Sequence, residues 1–492
     1  MEILAQINPN TWWILAGGII VLAYSALVLF TAYFLIRENR DPEVTLTWIL
    51  VLIFFPLIGI VIFLSFGKSF RKVKMFSRKG LLDLERMEHL SQNQIRDLSK
   101  LTLQENGLIK SKSNIIKLLL NNSKSLLTQH NSLEVLINGT NTFDSILEAI
   151  RMAKHHIHLE YYIYEDDEIG NKIKALLMEK ARHGVEVRLI LDAIGCWGLS
   201  KRFLKDFTDD GVELHEFMPV RIPRLANKIN YRNHRKIIVV DGQIGFVGGL
   251  NIADRYINGD PKLGIWRDTH LKIVGDAVQS LQALFITDWY FVSEKNIHGD
   301  QYFPKHSIEE KQLVQITGSG PDSDWASIMQ AYFTAITTAR HSIYISTPYF
   351  MPNQSILTAI KTAALSGVDV KIILPGKSDL ATHLWASRSY VEELLRAGAN
   401  VYFYQKGFSH AKVMMVDGIF STIGTANMDS RSFDKNFEVN ALIYDQQVAK
   451  VMEENFRQDI KDSEKIELES YLKRPRRNKV KESLARVLSP IF

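Results

Sequence analysis

Two blocks near the N-terminus break an otherwise mixed pattern of apolar and polar positions. From Trp12 to Ile36 no charged residue occurs (WWILAGGIIVLAYSALVLFTAYFLI), and from Val44 to Phe66 charges vanish again (VTLTWILVLIFFPLIGIVIFLSF). Each run exceeds the roughly 20 residues that an α-helix needs to cross the hydrocarbon core of a bilayer. Arg37 to Glu43 makes a short polar link between them, and Trp12, Trp13 and Trp48 stand near run ends, where amphipathic rings favour the membrane interface. The pattern predicts a two-helix transmembrane hairpin over residues 1–70, with spans at about 12–36 and 44–66. A cleaved signal peptide would begin with Lys or Arg, whereas MEILAQINPN carries only Glu2.

Residues 71–130 are mixed and polar, with helix-period patches at LLDLERMEHL and NIIKLLLNNSKSLL, and read as a connector leading into the first of two domains. Beyond it the chain repeats itself. AIRMAKHHIHLEYYIY (149–164) resembles AITTARHSIYISTPYF (335–350), and ARHGVEVRLILD (181–192) resembles ALSGVDVKIILP (364–375). Each copy reads as helix, apolar strand, helix, then a second apolar strand after a Gly-Val turn, which implies crossover units and a largely parallel sheet. The fold class expected is α/β: two pseudo-symmetric domains with mixed or parallel sheets and flanking helices, over 131–310 and 311–465. A basic amphipathic tail closes the chain over 466–492, and its end can rest on anionic lipid.

Charge changes the picture through its placement. The net charge of +5 over 492 residues is too small to argue for a nucleic-acid partner, and none is expected. The stretch after the second span, however, carries Lys68, Arg71, Lys72, Lys74, Arg78 and Lys79, against only Arg37 and Arg40 in the link. Basic residues beside a span favour the cytoplasmic side. The expectation is a multi-pass protein of the cell membrane whose large C-terminal part faces the cytoplasm. A single cysteine, Cys196, rules out an internal disulfide and reads as a packing residue.

The candidate chemistry sits in a pattern written twice. RNHRKIIVVDG holds His234, Lys236 and Asp241; FSHAKVMMVDG holds His410, Lys412 and Asp417, 176 residues later. In each copy an apolar run closes on Asp-Gly, a hairpin turn signal, so the His-x-Lys opens a strand. Residues two apart on a strand share a face, so each lysine points with its histidine. In both copies an Asn follows the His by 17 residues, Asn251 and Asn427, after a small pair (Gly248-Gly249 and Gly424-Thr425) that would let an oxyanion approach the backbone. Packed against each other, the halves would surround one phosphoryl group with two ammonium groups and two amides. Two imidazoles supply a nucleophile and a general acid without metal or cofactor. A carboxylate should orient each imidazole. Glu438, 28 residues after His410 on the next apolar strand, is the candidate for His410, and Asp268 in WRDTHLKIV is its counterpart for His234. Asp241 and Asp417 close the hairpins and read as structural or orienting groups.

Two other features bear on ligands. The first copy has an extra loop, MPVRIPRLANKINYR, whose Arg221, Arg224, Lys228 and Arg232 are placed to hold phosphate headgroups, or belong to a solvated surface. KHHIHLE groups His155, His156 and His158, but no cysteine accompanies them and no metal site is expected.

These residues resemble the phospholipase D superfamily, whose hallmark is the duplicated HKD motif, over about residues 130–460. Within it the similarity is greatest to bacterial cardiolipin synthases: RNHRKIIVVDG, GFVGGLN, GFSHAKVMMVDG, STIGTANMDSRSF, NFEVN, the two-span N-terminus and the ending ESLARVLSP all look like that branch. The resemblance implies transfer of a phosphatidyl group from one phosphatidylglycerol to the glycerol hydroxyl of a second, releasing glycerol. One histidine of His234 and His410 would form a phosphohistidine while the other protonates the departing alcohol and deprotonates the incoming one. Lys236, Lys412, Asn251 and Asn427, with Gly249 and Thr425, would hold the phosphate. The partners implied are phosphatidylglycerol and membrane lipids. Lys435 stands where leucine is more usual, and Gly249 where many members carry Ser. A hydrolytic phospholipase D, an HKD phosphatidylserine synthase, a nuclease and an inactive membrane scaffold are the competing readings.

Overall fold

A computed structural model of the chain describes residues 9–37, 42–55, 59, 63, 90–96, 107–219 and 230–489. Its internal contacts divide the chain into two units, the first containing residues 1–72. There, helix α1 (Pro9–Arg37) carries the first uncharged run, and its segment Trp13–Arg37 is 25 residues of apolar helix, long enough to cross a membrane. It is apolar all round, with Val21, Leu22, Leu29 and Phe30 all exposed, as expected of a helix whose solvent is lipid. Helix α2 (Pro42–Phe54) begins the second run, and Leu52 and Phe63 pack with Leu35 of α1. Much of the expected second span beyond Phe54 lies outside the described residues. So do the basic stretch from Lys68 to Lys79 and most of LLDLERMEHL.

In the second unit the strands run in chain order as β1 (Leu127–Thr128), β2 (Asn131–Ile137), β3 (His156–Tyr161), β4 (Glu186–Asp192), β5 (Glu213–Phe217), β6 (Ile237–Val240), β7 (Ile244–Gly248), β8 (Ile265–Arg267) and β9 (Thr269–Gly275). They continue as β10 (Leu313–Ser319), β11 (Ser342–Ser346), β12 (Phe350–Met351), β13 (Asp369–Pro375), β14 (Asn400–Tyr404), β15 (Gly407–Ser409), β16 (Val413–Val416), β17 (Phe420–Gly424), β18 (Met428–Asp429), β19 (Glu438–Tyr444) and β20 (Ser463–Ile466). A seven-stranded sheet has the order β2-β9-β7-β6-β3-β4-β5. A nine-stranded sheet contains β10-β19-β17-β16-β11-β13-β14 in the matching order, flanked by β1 and β20. The sheets are mixed. Within these two sheets β3, β4 and β5, and β11, β13 and β14, run parallel, each joined to the next by a crossover that contains a helix. The motif strands β6 and β16 pair antiparallel on both sides.

Local chemistry explains the joints. Gly184 (φ 86°) and Gly367 (φ 90°) supply the left-handed residue that ends a helix before β4 and β13. Asp241-Gly242 (φ 53° and 66°) and Asp417-Gly418 (φ 58° and 64°) make the two-residue hairpins after β6 and β16, both residues left-handed as such turns require. The sheets share a core: Ile237, Val239 and Ile273 meet Val314, Met415 and Val439. Helices cover the outer faces with separate cores.

The connector runs on in sequence to β2 of the first sheet but packs on the second half. Its helix Gly107–Asn122 buries Ile115, Ile116, Leu119 and Leu120 with Ile328 and Ala331 of the second half, and β1 pairs with β10. An amphipathic stripe records that a helix packs, and the partner is set by the sheet that has an uncovered face.

Candidate active site

Each motif histidine enters its strand from a backbone contact with the other half. The His234 N–H donates to Phe437 O at 2.9 Å, and the His410 N–H to Arg267 O at 2.7 Å. Parallel pairing of β15 with β8, and a bridge between Asn233 and Phe437, hold these crossings. In both cases the residue after the acceptor carbonyl is a carboxylate. Glu438 therefore reaches His234 Nδ1 at 2.9 Å, and Asp268 reaches His410 Nδ1 at 2.6 Å. The structure thus corrects the expected pairing: Glu438 serves His234 and Asp268 serves His410, each across the junction between halves. Spacing along the chain placed both carboxylates next to a histidine strand but carried nothing about which half's strand would lie alongside.

The lysines share their histidines' faces as the strand period requires. Lys236 Nζ donates to His234 O at 2.8 Å. Lys412 Nζ donates to His410 O at 2.6 Å and stands 3.0 Å from His410 Nδ1 and 3.1 Å from Nε2. Burial sets the protonation states. It pulls Lys236 down to about 7 and Lys412 to about 8, with the second ammonium opposing the charge on Lys236. It pulls His234 down to about 4, against the attraction of Glu438, and His410 well below its ordinary value, with Lys412 and Lys236 adding to the effect. Asp268 is raised to about 6 by burial. Burial also works to raise Glu438, but the neighbouring His234 and Lys236 outweigh it and hold this carboxylate below its usual range. Both imidazoles are therefore neutral near pH 7. With Nδ1–H given to the carboxylate, the lone pair sits on Nε2, the form a nucleophile or base needs.

The remaining expected residues fall into two groups. Asn251 and Asn427 are buried at the centre: Asn251 Nδ2 donates to Tyr256 Oη at 3.1 Å, and Asn427 Oδ1 is buried without a hydrogen-bond partner among the described residues. Gly249 and Thr425 have spent their backbone N–H groups on Thr269 O (3.0 Å) and Val439 O (2.9 Å), so neither amide is open to an oxyanion in this arrangement. Gly249 is small for another reason: a Cβ there would stand 2.1 Å from Asp268 Oδ1. The Thr425 hydroxyl accepts from the Val439 N–H at 2.9 Å. Asp241 and Asp417 point away from the imidazoles. Asp241 takes the backbone N–H groups of Lys154, His155 and His156, each within 2.9 Å. Asp417 takes those of Arg340, His341 and Ser342 and the Lys112 ammonium at 3.2 Å.

Several residues of the site went unread in the sequence. Tyr256 places its hydroxyl 3.3 Å from His410 Nδ1, with Trp266 packed against both the Tyr256 and His410 rings, and Tyr162 covers the His234 ring edge-on at 4.9 Å. Arg235, between His234 and Lys236, faces the other way, where it donates to Glu438 O at 3.2 Å and pairs with the buried Asp288. For Tyr256, Trp266 and Arg235 the signal was an aromatic or cation a few residues from a motif position; Tyr162 stands far from any motif in the sequence. Of the basic loop, Arg232 is buried against Asp192 at 3.4 Å; Arg221, Arg224 and Lys228 lie outside the described residues. In KHHIHLE both ring nitrogens of His158 are engaged, Nδ1 with Gln282 and Nε2 with Arg188.

Comparison with known proteins places this geometry. A family model described as the cardiolipin synthase PLD-like domain matches twice, over residues 146–289 and 332–460, and a phospholipase D-nuclease N-terminal model matches 26–68. A cardiolipin synthase of Geobacillus sp. (strain WCH70) is 44% identical over 98% of this chain and 96% of its own. The major cardiolipin synthase of Bacillus subtilis (strain 168) is 40% identical over 94% of this chain and 97% of its own. Among solved structures, a phosphatidylserine synthase of Haemophilus influenzae Rd KW20 aligns over 78% of this chain and 98% of its own with a TM-score of 0.58 at 16% identity, a likeness of fold.

Proposed function

We propose, for a chain that belongs to the cardiolipin synthase family of PLD-like proteins, the reaction of that family: a phosphatidyltransferase that makes cardiolipin and glycerol from two phosphatidylglycerol molecules. The observation that carries the mechanism is the reciprocal pairing of His234 with Glu438 and His410 with Asp268 inside one buried centre. One imidazole Nε2 attacks the phosphorus of the first lipid. The bond from phosphorus to the headgroup glycerol oxygen breaks, and the second histidine, protonated on Nε2 once the anionic phosphodiester binds beside it, donates that proton to the oxygen. A phosphatidyl-histidine remains. The second histidine then takes the proton from the glycerol hydroxyl of the second phosphatidylglycerol, whose oxygen attacks phosphorus and expels the first imidazole. Lys236, Lys412, Asn251 and Asn427 hold the phosphoryl oxygens, where negative charge accumulates. Gly249 leaves room for the Asp268 carboxylate, and Asp241 and Asp417 hold the strands that carry the histidines.

The matched strand orders support reading residues 131–310 and 311–465 as pseudo-symmetric halves of one duplicated domain. The apolar helix α1 and the N-terminal family match support an anchor over 1–70 with two spans, about 12–36 and 44–66. The basic residues after the second span support a cytoplasmic active site in the cell membrane.

The test is lipid mass spectrometry after incubating the detergent-solubilised chain with phosphatidylglycerol alone, beside His234→Ala and His410→Ala. Cardiolipin with free glycerol, absent from both variants, is the expected result. Phosphatidic acid as the main product makes water the acceptor and the chain a hydrolase.

A further inference from the structure

The chain closes with a helix, Arg476–Leu488, that is folded onto the second half with its amphipathicity reversed. Its inward face sets Ala485 against the apolar core and otherwise carries ion pairs: the Glu482 carboxylate, buried, takes the Arg474 guanidinium through Nε and Nη2 at 2.9 and 2.8 Å. Arg474 Nη1 also reaches Glu392 at 2.9 Å, and Arg486 bonds Glu393 at 2.6 Å while lying over the Tyr390 ring. These contacts fix the helix along Ala381–Arg388 and Val391–Arg396. Its outward face carries the aliphatic residues. Val480 is 57% exposed, Leu484 62%, Val487 76% and Leu488 46%, at the i, i+4, i+7, i+8 spacing of a single helical stripe. Arg476, Arg477 and Lys481 are exposed on the same side.

A helix that spends its ion pairs inward and turns four aliphatic side chains to the outside has an unmet partner. We propose that this face docks on an anionic phospholipid surface. The charge decides between occupants. Cations bordering an apolar stripe match the headgroup layer and acyl boundary of an anionic leaflet, where each basic residue near the surface adds attraction. A second copy of the same face would offer Arg476, Arg477 and Lys481 no carboxylate, because Glu482, the one acid of the helix, is turned inward. Leu380, about half exposed, stands at the N-terminal end of the helix on which this one rests, and its neighbour Asp379 bears electrostatically on His410. Docking here holds the rim of the catalytic centre against the bilayer from which both lipids must enter. The inference rests on the membrane association proposed above and is independent of the reaction assigned.

The experiment uses the full chain in nanodiscs, with an environment-sensitive dye on Leu484→Cys; the native thiol, Cys196, is buried. A second preparation, labelled at Ile19→Cys, reports the anchor. Lipids carrying a quencher near the headgroup are included in discs of phosphatidylcholine with or without phosphatidylglycerol. Expected is quenching at position 484 that needs phosphatidylglycerol. Arg476→Gln with Arg477→Gln should then lower the docked-to-free ratio roughly thirtyfold, the loss for two surface cations. Quenching at Ile19→Cys with none at 484 overturns the docking face and spares the anchor. Quenching at 484 equal in both lipid mixtures overturns the anionic partner, and self-quenching that grows with the number of chains per disc assigns the face to a second copy. Product analysis reads the chemistry separately, so either can fail alone.

Discussion

Glu438, the first residue of β19 in the second half, accepts a hydrogen bond from His234 of the first half at 2.9 Å, 204 residues away in sequence. Asp268 returns the relation to His410 at 2.6 Å. Each imidazole is thus tuned by the half that does not carry it, and neither half holds a histidine–carboxylate pair of its own.

Removing the orienting charge without changing shape tests this. Glu438→Gln and Asp268→Asn are each expected to lower turnover of phosphatidylglycerol by about 10²–10⁴-fold, the cost of losing an oriented base. In kinetic double-mutant cycles, Glu438→Gln should couple to His234→Ala and Asp268→Asn to His410→Ala. Normal turnover in either single variant would remove that carboxylate from the mechanism.

Substituting Gly249 should act through Asp268. A methyl at this position enters the space of Oδ1, so Gly249→Ala is expected to turn or expel the carboxylate and cost activity. Little further loss should follow when Asp268→Asn is added. Additive losses in the four-variant comparison would mean that Gly249 acts elsewhere.

The buried lysines predict an unusual pH response. Lys236 at about 7 and Lys412 at about 8 lie below the ordinary lysine value near 10.5 that holds in the unfolded chain. Between about pH 7 and 10 the unfolded chain binds protons that the native one does not, so stability of the lipid-free protein rises with pH from this source. Lys236→Met should flatten that rise in thermal melts. A bound phosphate favours the charged amines, so binding of inorganic phosphate at pH 8 should take up protons. Calorimetry in buffers of different ionisation enthalpy reads that uptake, and its absence would place the lysines in the charged state throughout.

Asp417 is expected to matter for stability more than for chemistry. Its carboxylate holds three backbone N–H groups and Lys112. Burial opposes its ionisation, but these donors hold it below the usual carboxylate range. Its stabilising effect is thus present above about pH 4 and is lost as pH falls through the folded value. Asp417→Asn should cost ~1–3 kcal/mol of stability by thermal melting at neutral pH, with the pH profile of residual turnover unshifted. A shifted profile would give Asp417 a part in proton transfer.

Much of this was legible in the chain. His234, Lys236 and Asn251, with His410, Lys412 and Asn427, follow from strand period and matched spacing, and the Asp-Gly turns from their chemistry. The exchange of Glu438 and Asp268 was not, because a spacing of 28 residues says that a strand returns beside the motif but not which half's carboxylate lies there. The sequence of the tail is basic and amphipathic; that its ion-paired side turns inward and its aliphatic side outward was decided by Glu392, Glu393 and Tyr390, which meet it only in the fold.

What the sequence alone determined is what local rules can carry: an apolar helix long enough to span a membrane, the duplicated α/β pattern, and the inventory of two imidazoles, two ammonium groups and two amides. Those follow from periodicity and turn propensity, which act within a few residues. Tertiary structure decided the rest: the crossing at Phe437 and Arg267, the burial that pulls down both lysines, and the packing of the Gly107–Asn122 helix on the second half. Burial and strand adjacency depend on which surfaces meet, and that is a property of the whole chain rather than of any segment.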